Sequence, residues 1–158
     1  AYALNSNCAQ VGGCGPGSPQ YEWLKADLAA NAGKQVVAFW HHPRYSSGQH
    51  GDFSQMDPIW DLLYQAGAEV VLAGHDHDYE RFAPLNDQGK VDARGVRQFV
   101  VGTGGKNLYS FSSSKPNSEV RRNDAYGVLV LKLYPDHYEW AFVSDSGKVL
   151  DSGTTPVH

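Results

Sequence analysis

Positive charge is scarce in this sequence. Its 13 Lys and Arg are outnumbered by 17 Asp and Glu, for a formal net charge of −4. That balance gives nucleic acid and anionic membranes no electrostatic reason to bind, so neither is expected as a partner. Long apolar runs are also missing, which argues against a membrane-spanning helix of ~20 residues. No charged-then-apolar leader opens the chain. Methionine occurs once, at Met56, and the first residue is Ala1. The sequence therefore reads as a processed or excised piece from which targeting information has been removed.

Cysteine is nearly absent too. Cys8 and Cys14 stand alone in Cys-Ala-Gln-Val-Gly-Gly-Cys. The glycines allow so short a loop to close, and a disulfide is preferred here. A two-thiolate metal clip would need two further ligands nearby, and none is there. Closing a small loop removes little unfolded-state entropy, so the stabilisation belongs at the low end for disulfides. A disulfide favours an oxidising compartment, and hence a secreted or extracytoplasmic protein.

What remains is ordinary for a globular domain: 158 residues, 41 % apolar and 19 % charged, enough for one core. Residues 1–7 suggest a short strand. Ser18-Pro19 marks a helix start, with Tyr21, Leu24 and Leu28 at helical spacing and Gly33 as its stop. Residues 35–40 form an apolar run without alternation, as expected of a strand buried on both faces of a parallel sheet. Asp57-Pro58 opens a second helix with Ile59, Leu62, Leu63 and Ala66 as its buried stripe. Residues 69–73 give the next strand. Beyond Arg81 come a turn at 86–89, a strand at 97–103, and a polar, Ser-rich stretch over 104–123 that reads as irregular loop. Three hairpin-connected strands, 126–134, 137–143 and 148–152, end the chain. The class is α/β: a β-α-β-α-β unit followed by antiparallel strands, in one domain.

Two of those strands end in histidine. The first runs Val36-Val37-Ala38-Phe39-Trp40-His41-His42-Pro43-Arg44-Tyr45-Ser46. The second is Val70-Val71-Leu72-Ala73-Gly74-His75-Asp76-His77-Asp78-Tyr79-Glu80-Arg81. Ligands outside the carboxyl ends of strands are what open α/β sheets provide, and neutral imidazole is the commonest protein metal ligand. A backbone turn just past the strand would let His75 and His77 serve two neighbouring ions.

The blocks HHPRYSSG and GHDHDYER resemble, in order, the last two metal-binding motifs of the calcineurin-like metallophosphoesterases, in the variant carried by purple acid phosphatases. The resemblance implies half of an α/β/β/α sandwich, with residues 1–158 as the C-terminal portion of the catalytic domain. It implies a dinuclear centre of iron plus zinc, manganese or a second iron, at which a metal-activated water hydrolyses phosphate esters. His41 and His75 would serve the more labile divalent site and His77 the iron site. His50 would contact the substrate phosphate and protonate the leaving group. Arg44 could reach the phosphate, or form a surface ion pair. His42 is expected to be structural or to support a ligand, with His42 in place of His41 as the alternative ligand. Asp76 and Asp78 are expected to orient imidazoles rather than act as ligands, and Glu80 and Arg81 to pair with each other. Gly102-Thr103-Gly104-Gly105 is read as a tight turn, because no GK[ST] follows it.

The family's earlier motifs, an aspartate in DxH or DxG, GDxxY and GNH[DE], do not precede the two histidine blocks in this sequence. The chain then supplies imidazoles without bridging carboxylates, and by itself should bind metal weakly and hydrolyse esters negligibly. It should associate with a missing N-terminal half or with itself. A phosphodiesterase or nucleotidase on the same scaffold, and a non-catalytic α/β module retaining the motifs, are the alternatives.

Overall fold

A computed structural model describes all 158 residues. Five elements form the parallel unit in chain order: β1 (Tyr2–Ala3), α1 (Pro19–Ala30), β2 (Val37–Phe39), α2 (Asp57–Gln65) and β3 (Val70–Ala73). Ser18 is extended (φ −78°, ψ 149°) ahead of Pro19 at the start of α1. Proline fits there because the first helical N–H has no partner to lose. The helix stops at Ala30, before Gly33. The Asn31 side-chain amide donates to the Asp27 carbonyl at 2.9 Å, and Gly33 (φ +80°) lies in the turn beyond. Helix α2 buries Ile59, Trp60 and Leu63, whereas Ala66 lies past its end and is exposed.

The parallel strands continue into a six-stranded sheet of order β1-β2-β3-β5-β4-β6, with β4 at Tyr79–Phe82, β5 at Arg97–Val101 and β6 at Ser118–Arg122. Strand β5 runs parallel to β3, while β4 is antiparallel to both β5 and β6. The expected irregular stretch 104–123 thus ends in a strand. Ser-Glu-Val-Arg-Arg has little apolar periodicity of its own, and the open backbone edge of β4 recruits it through main-chain hydrogen bonds.

A second sheet, β7-β8-β9, is built from Gly127–Leu133, His137–Ser144 and Val149–Pro156. Period-2 alternation decides which core each strand residue joins. Ala38, Val71 and Val100 face the helices, with Leu24, Leu28, Ile59, Trp60 and Leu63. Val37, Val70 and Phe99 face the second sheet and meet Tyr138, Trp140 and Phe142. Tyr138, Trp140 and Phe142 of β8 are therefore sheet core, whereas Tyr134, just past the end of the preceding strand, is exposed. The result is a mixed α/β fold of helices, large sheet and small sheet in layers. No helix is long and apolar enough to cross a membrane. Cys8 and Cys14 are disulfide-bonded, 5.2 Å apart at Cα, and both are buried at the edge of the helix-side core.

One polar cluster ties the sheets together. The Asp151 carboxylate on β9 accepts from Tyr79 Oη at 2.7 Å, from Arg81 Nε at 2.7 Å and from Trp140 Nε1 at 3.4 Å. Arg81 also pairs with Glu119. It does not pair with Glu80, since adjacent residues of a strand point to opposite faces. Burial favours a neutral Asp151, but the Arg81 and Tyr79 hydrogen bonds outweigh it and hold the carboxyl below the usual carboxylate range. Asp151→Ala leaves Arg81 short of a partner and is expected to cost about 3 kcal/mol in urea unfolding. Because the folded pKa is depressed, the charge-dependent part is complete above pH ~4 and disappears as acid titrates the folded carboxyl. The gap between wild type and Asp151→Ala should narrow below that pH.

Candidate metal centre

The site begins with a strained turn. Strand β3 ends at Ala73, and two residues on His75 adopts φ +65°, the one non-glycine residue with a positive φ. The Asp76 N–H closes back on the Gly74 carbonyl at 2.8 Å, making a three-residue turn centred on His75. A side chain in left-handed backbone costs of order 1–2 kcal/mol. The turn separates two histidines that an unbroken strand would aim the same way. His75 Nδ1 meets His41 Nε2 at 3.1 Å. His77 instead donates from Nδ1 to the Asn107 carbonyl at 2.8 Å and stacks on Tyr109 at 4.0 Å between centroids.

His41 stands just past β2, beside β3, so the carboxyl ends of two adjacent parallel strands deliver it to His75. His42 joins them. One ring nitrogen from each of His41, His42 and His75 lies within 4.8 Å of the others. His42 is fixed from behind: its Nδ1 lies 2.8 Å from Ser6 Oγ, that hydroxyl accepts the His42 N–H at 2.9 Å, and the ring stacks on Phe53. Burial, reinforced by the neighbouring His42, His50 and His41, pushes the His75 imidazole down to about 4. Burial and His41 and His50 lower His42 as well. Both are neutral near pH 7, the form in which imidazole donates to a metal.

These donors suit one borderline ion. Two nitrogens about 2.0–2.1 Å from a tetrahedral zinc are about 3.4 Å apart, close to the 3.1 Å between His41 and His75. They do not suit a bridged pair, which needs shared carboxylates. The acidic residues nearest in sequence, Asp76, Asp78 and Glu80, are fully buried. Asp76 holds His50 and Ser46, and Glu80 accepts the Ser47 N–H at 2.7 Å. Asp78 has no hydrogen-bond partner, and burial with Asp76 and Glu80 nearby pushes it up to about 8. A carboxyl so placed is neutral at pH 7.

The 42–55 loop gains its shape from polar groups on the strands beneath it. Gln98 of β5, fully buried, accepts the Arg44 N–H at 3.0 Å and returns a donor to the Tyr45 carbonyl. The second loop lies on the first: Ser112 and Ser113 both donate backbone N–H groups to the Ser47 carbonyl. At Gly102 a Cβ would sit 1.8 Å from the Asp76 carbonyl oxygen, so the 102–105 segment is a close-packed turn against the histidine motif. Arg44 forms an ion pair with Asp57 and lies 4.3 Å over the Tyr45 ring.

Among the sequence-expected residues, then, His41 and His75 converge, His50 stands beside them at 4.3 Å between its ring and that of His75, and His77 lies outside the trio. His42, expected to be structural, stands within it. The doublet at a strand end was the available signal. Gln98 gave none, because a buried glutamine looks like any surface one until its partners are known.

Comparison with known proteins gives the family. Residues 6–79 match the calcineurin-like phosphoesterase family. The chain is 36 % identical over 140 residues to probable purple acid phosphatase 20 of Arabidopsis thaliana, covering 79 % of this chain and 32 % of that protein. It is 30 % identical over 161 residues to probable inactive purple acid phosphatase 27 of the same plant, covering 87 % and 26 %. The purple acid phosphatase PPD1 from yellow lupin seeds superposes with a TM-score of 0.84 at 21 % identity, over 97 % of this chain and 30 % of that one. The chain spans about a third of the length of the curated relatives it matches. A family match across both histidine blocks up to Tyr79, phosphatase relatives over most of the chain and a shared fold lead to one assignment: the chain belongs to the calcineurin-like phosphoesterases, among the relatives of the purple acid phosphatases.

Proposed function

We propose that this chain supplies the histidine side of a metal-dependent phosphate ester hydrolase of purple acid phosphatase type. The observation that carries this reading is the convergence of His41, His42 and His75 at the carboxyl ends of β2 and β3. These residues would hold one ion. His77, whose Nδ1 donates to Asn107, keeps Nε2 free for a second. Carboxylates from outside the chain would complete the pair, as iron with zinc, manganese or a second iron. Bound ions supply Lewis acidity toward phosphoryl oxygens.

The chain's own residues do the rest. His50, half exposed against His75, donates a proton as imidazolium to the departing alkoxide. Arg44 reaches a phosphate only by giving up Asp57. Tyr109, stacked on His77 and 5.6 Å from His50 between centroids, walls the side where an ester would lie. The apolar side chains of Phe39, Val128, Val130 and Val149 are exposed, which supports packing by residues outside this chain or by a second copy. The Cys8–Cys14 bond supports an extracytoplasmic location. A non-catalytic reading has this in its favour: two relatives, covering 87 % and 70 % of this chain, are named as probable inactive purple acid phosphatases.

Titrating the isolated chain with zinc by calorimetry should show one weak site. His41→Ala or His75→Ala should abolish it, and His137→Ala should leave it intact. No binding at all, or binding that survives both changes, would contradict the reading. In a preparation that hydrolyses phosphate monoesters, His50→Ala should lower kcat about 100-fold or more at unchanged metal content. An unchanged rate would remove His50 from the mechanism.

A further inference from the structure

Asp76 lies near the site with its side chain sealed from solvent and is not a member of the histidine trio. Its contacts are specific. Oδ1 accepts both the backbone N–H of His50 and its ring Nδ1, each at 2.9 Å. Oδ2 accepts the Ser46 hydroxyl at 2.5 Å, and that same Ser46 Oγ accepts the Gly48 N–H at 2.9 Å. The loop lies directly on the carboxylate. A Cβ at Gly48 would fall 2.4 Å from Asp76 Cγ, so a side chain there would push the two apart. The Asp76 backbone is itself tied to Gly74 by the turn at His75. A single residue therefore spans the strained turn that aims His75 and the ring of His50.

We propose that Asp76 is a positioning residue that fixes the tautomer and direction of the His50 imidazole. This rests on the phosphoesterase role of His50 stated above. A carboxylate has only acceptors to offer, so His50 Nδ1 must carry a hydrogen to meet it. In neutral His50, Nε2 is then the bare nitrogen, on the ring edge away from Asp76. When the ring is protonated, Nε2–H is the proton available to a leaving oxygen, while Nδ1–H keeps its bond to the buried carboxylate. The pairing of backbone and ring donors on one oxygen places the ring relative to its own main chain. A purely structural Asp76 would need only the backbone and Ser46 bonds.

Long-range ¹H–¹⁵N correlation NMR on this chain separates the two, with His50 assigned from its loss in His50→Gln. The expected result is an Nδ1–H tautomer in wild type, kept in Asp76→Asn, whose amide oxygen still accepts, and lost in Asp76→Ala. An Nε2–H tautomer in wild type, or an Nδ1–H signal indifferent to Asp76→Ala in a folded protein, would overturn the proposal. If the alanine variant does not fold, Asp76→Asn decides: its Nδ1–H proton must shift upfield as the acceptor loses its charge, and an unmoved resonance counts against the proposal. A second arm uses a preparation active on phosphate monoesters. There Asp76→Ala should lower kcat about tenfold to 100-fold with KM within about twofold, and should add nothing to His50→Ala, whereas additive losses would mean that Asp76 acts elsewhere. The tautomer does not depend on hydrolysis. An Nδ1–H signal in this chain, with no esterase activity in the metal-loaded complete protein, would sink the functional reading and leave the pair standing.

Discussion

A left-handed backbone at a single histidine governs much of this structure. His75 leaves β3 at φ +65°, and three things depend on that turn. The imidazole swings to His41 at the end of the neighbouring strand. Asp76 drops beneath the 42–55 loop. The chain then reverses, so that β4 enters the same sheet antiparallel, between β5 and β6. Unpaired strain of this kind persists only where the surroundings over-determine it. Here the Gly74 carbonyl, the Asp76 carboxylate bonds and the close approach of Gly102 all hold the same few residues.

The alternation that follows divides the polar groups between two tasks. Tyr79 and Arg81 point toward the second sheet and meet Asp151, which makes the interface between sheets partly electrostatic within an aromatic core. Glu80 points the other way and, with Asp76 and Gln98, supplies acceptors to the loop that carries His50. Buried polar groups of this sort cost free energy unless they are bonded. Most of these are, and their partners are loop backbone atoms that would otherwise be free to wander. Asp78 is the exception, and burial keeps it neutral.

The donor set also bears on how the site is divided among parts of a larger fold. Imidazoles alone suit one borderline ion, whereas two ions need carboxylates between them. The chain places its acids under the loop, where they orient rather than coordinate. The chain spans about a third of the length of the curated relatives it matches, and the proposed centre would draw its carboxylates from outside it.

Several features were legible from local sequence because they follow from local physics. Short apolar runs marked β2, β3 and the Phe99-Val100-Val101 end of β5, since strands packed between two layers are mostly apolar. Ser18-Pro19 and Asp57-Pro58 gave the helix starts, since proline fits only the first turn. The two histidine blocks at strand ends marked the candidate site, and the cysteine spacing gave the disulfide. Strands β4 and β6 were not legible, because Tyr-Glu-Arg-Phe and Ser-Glu-Val-Arg-Arg pair through backbone bonds that side-chain pattern does not encode. Membership of the site also needed tertiary structure. His42, Gln98 and Asp76 have partners 26 to 54 residues away, or 36 in the case of Ser6. Sequence determines which groups can bond; which of them meet is decided only when the sheet brings distant loops onto the same strand ends.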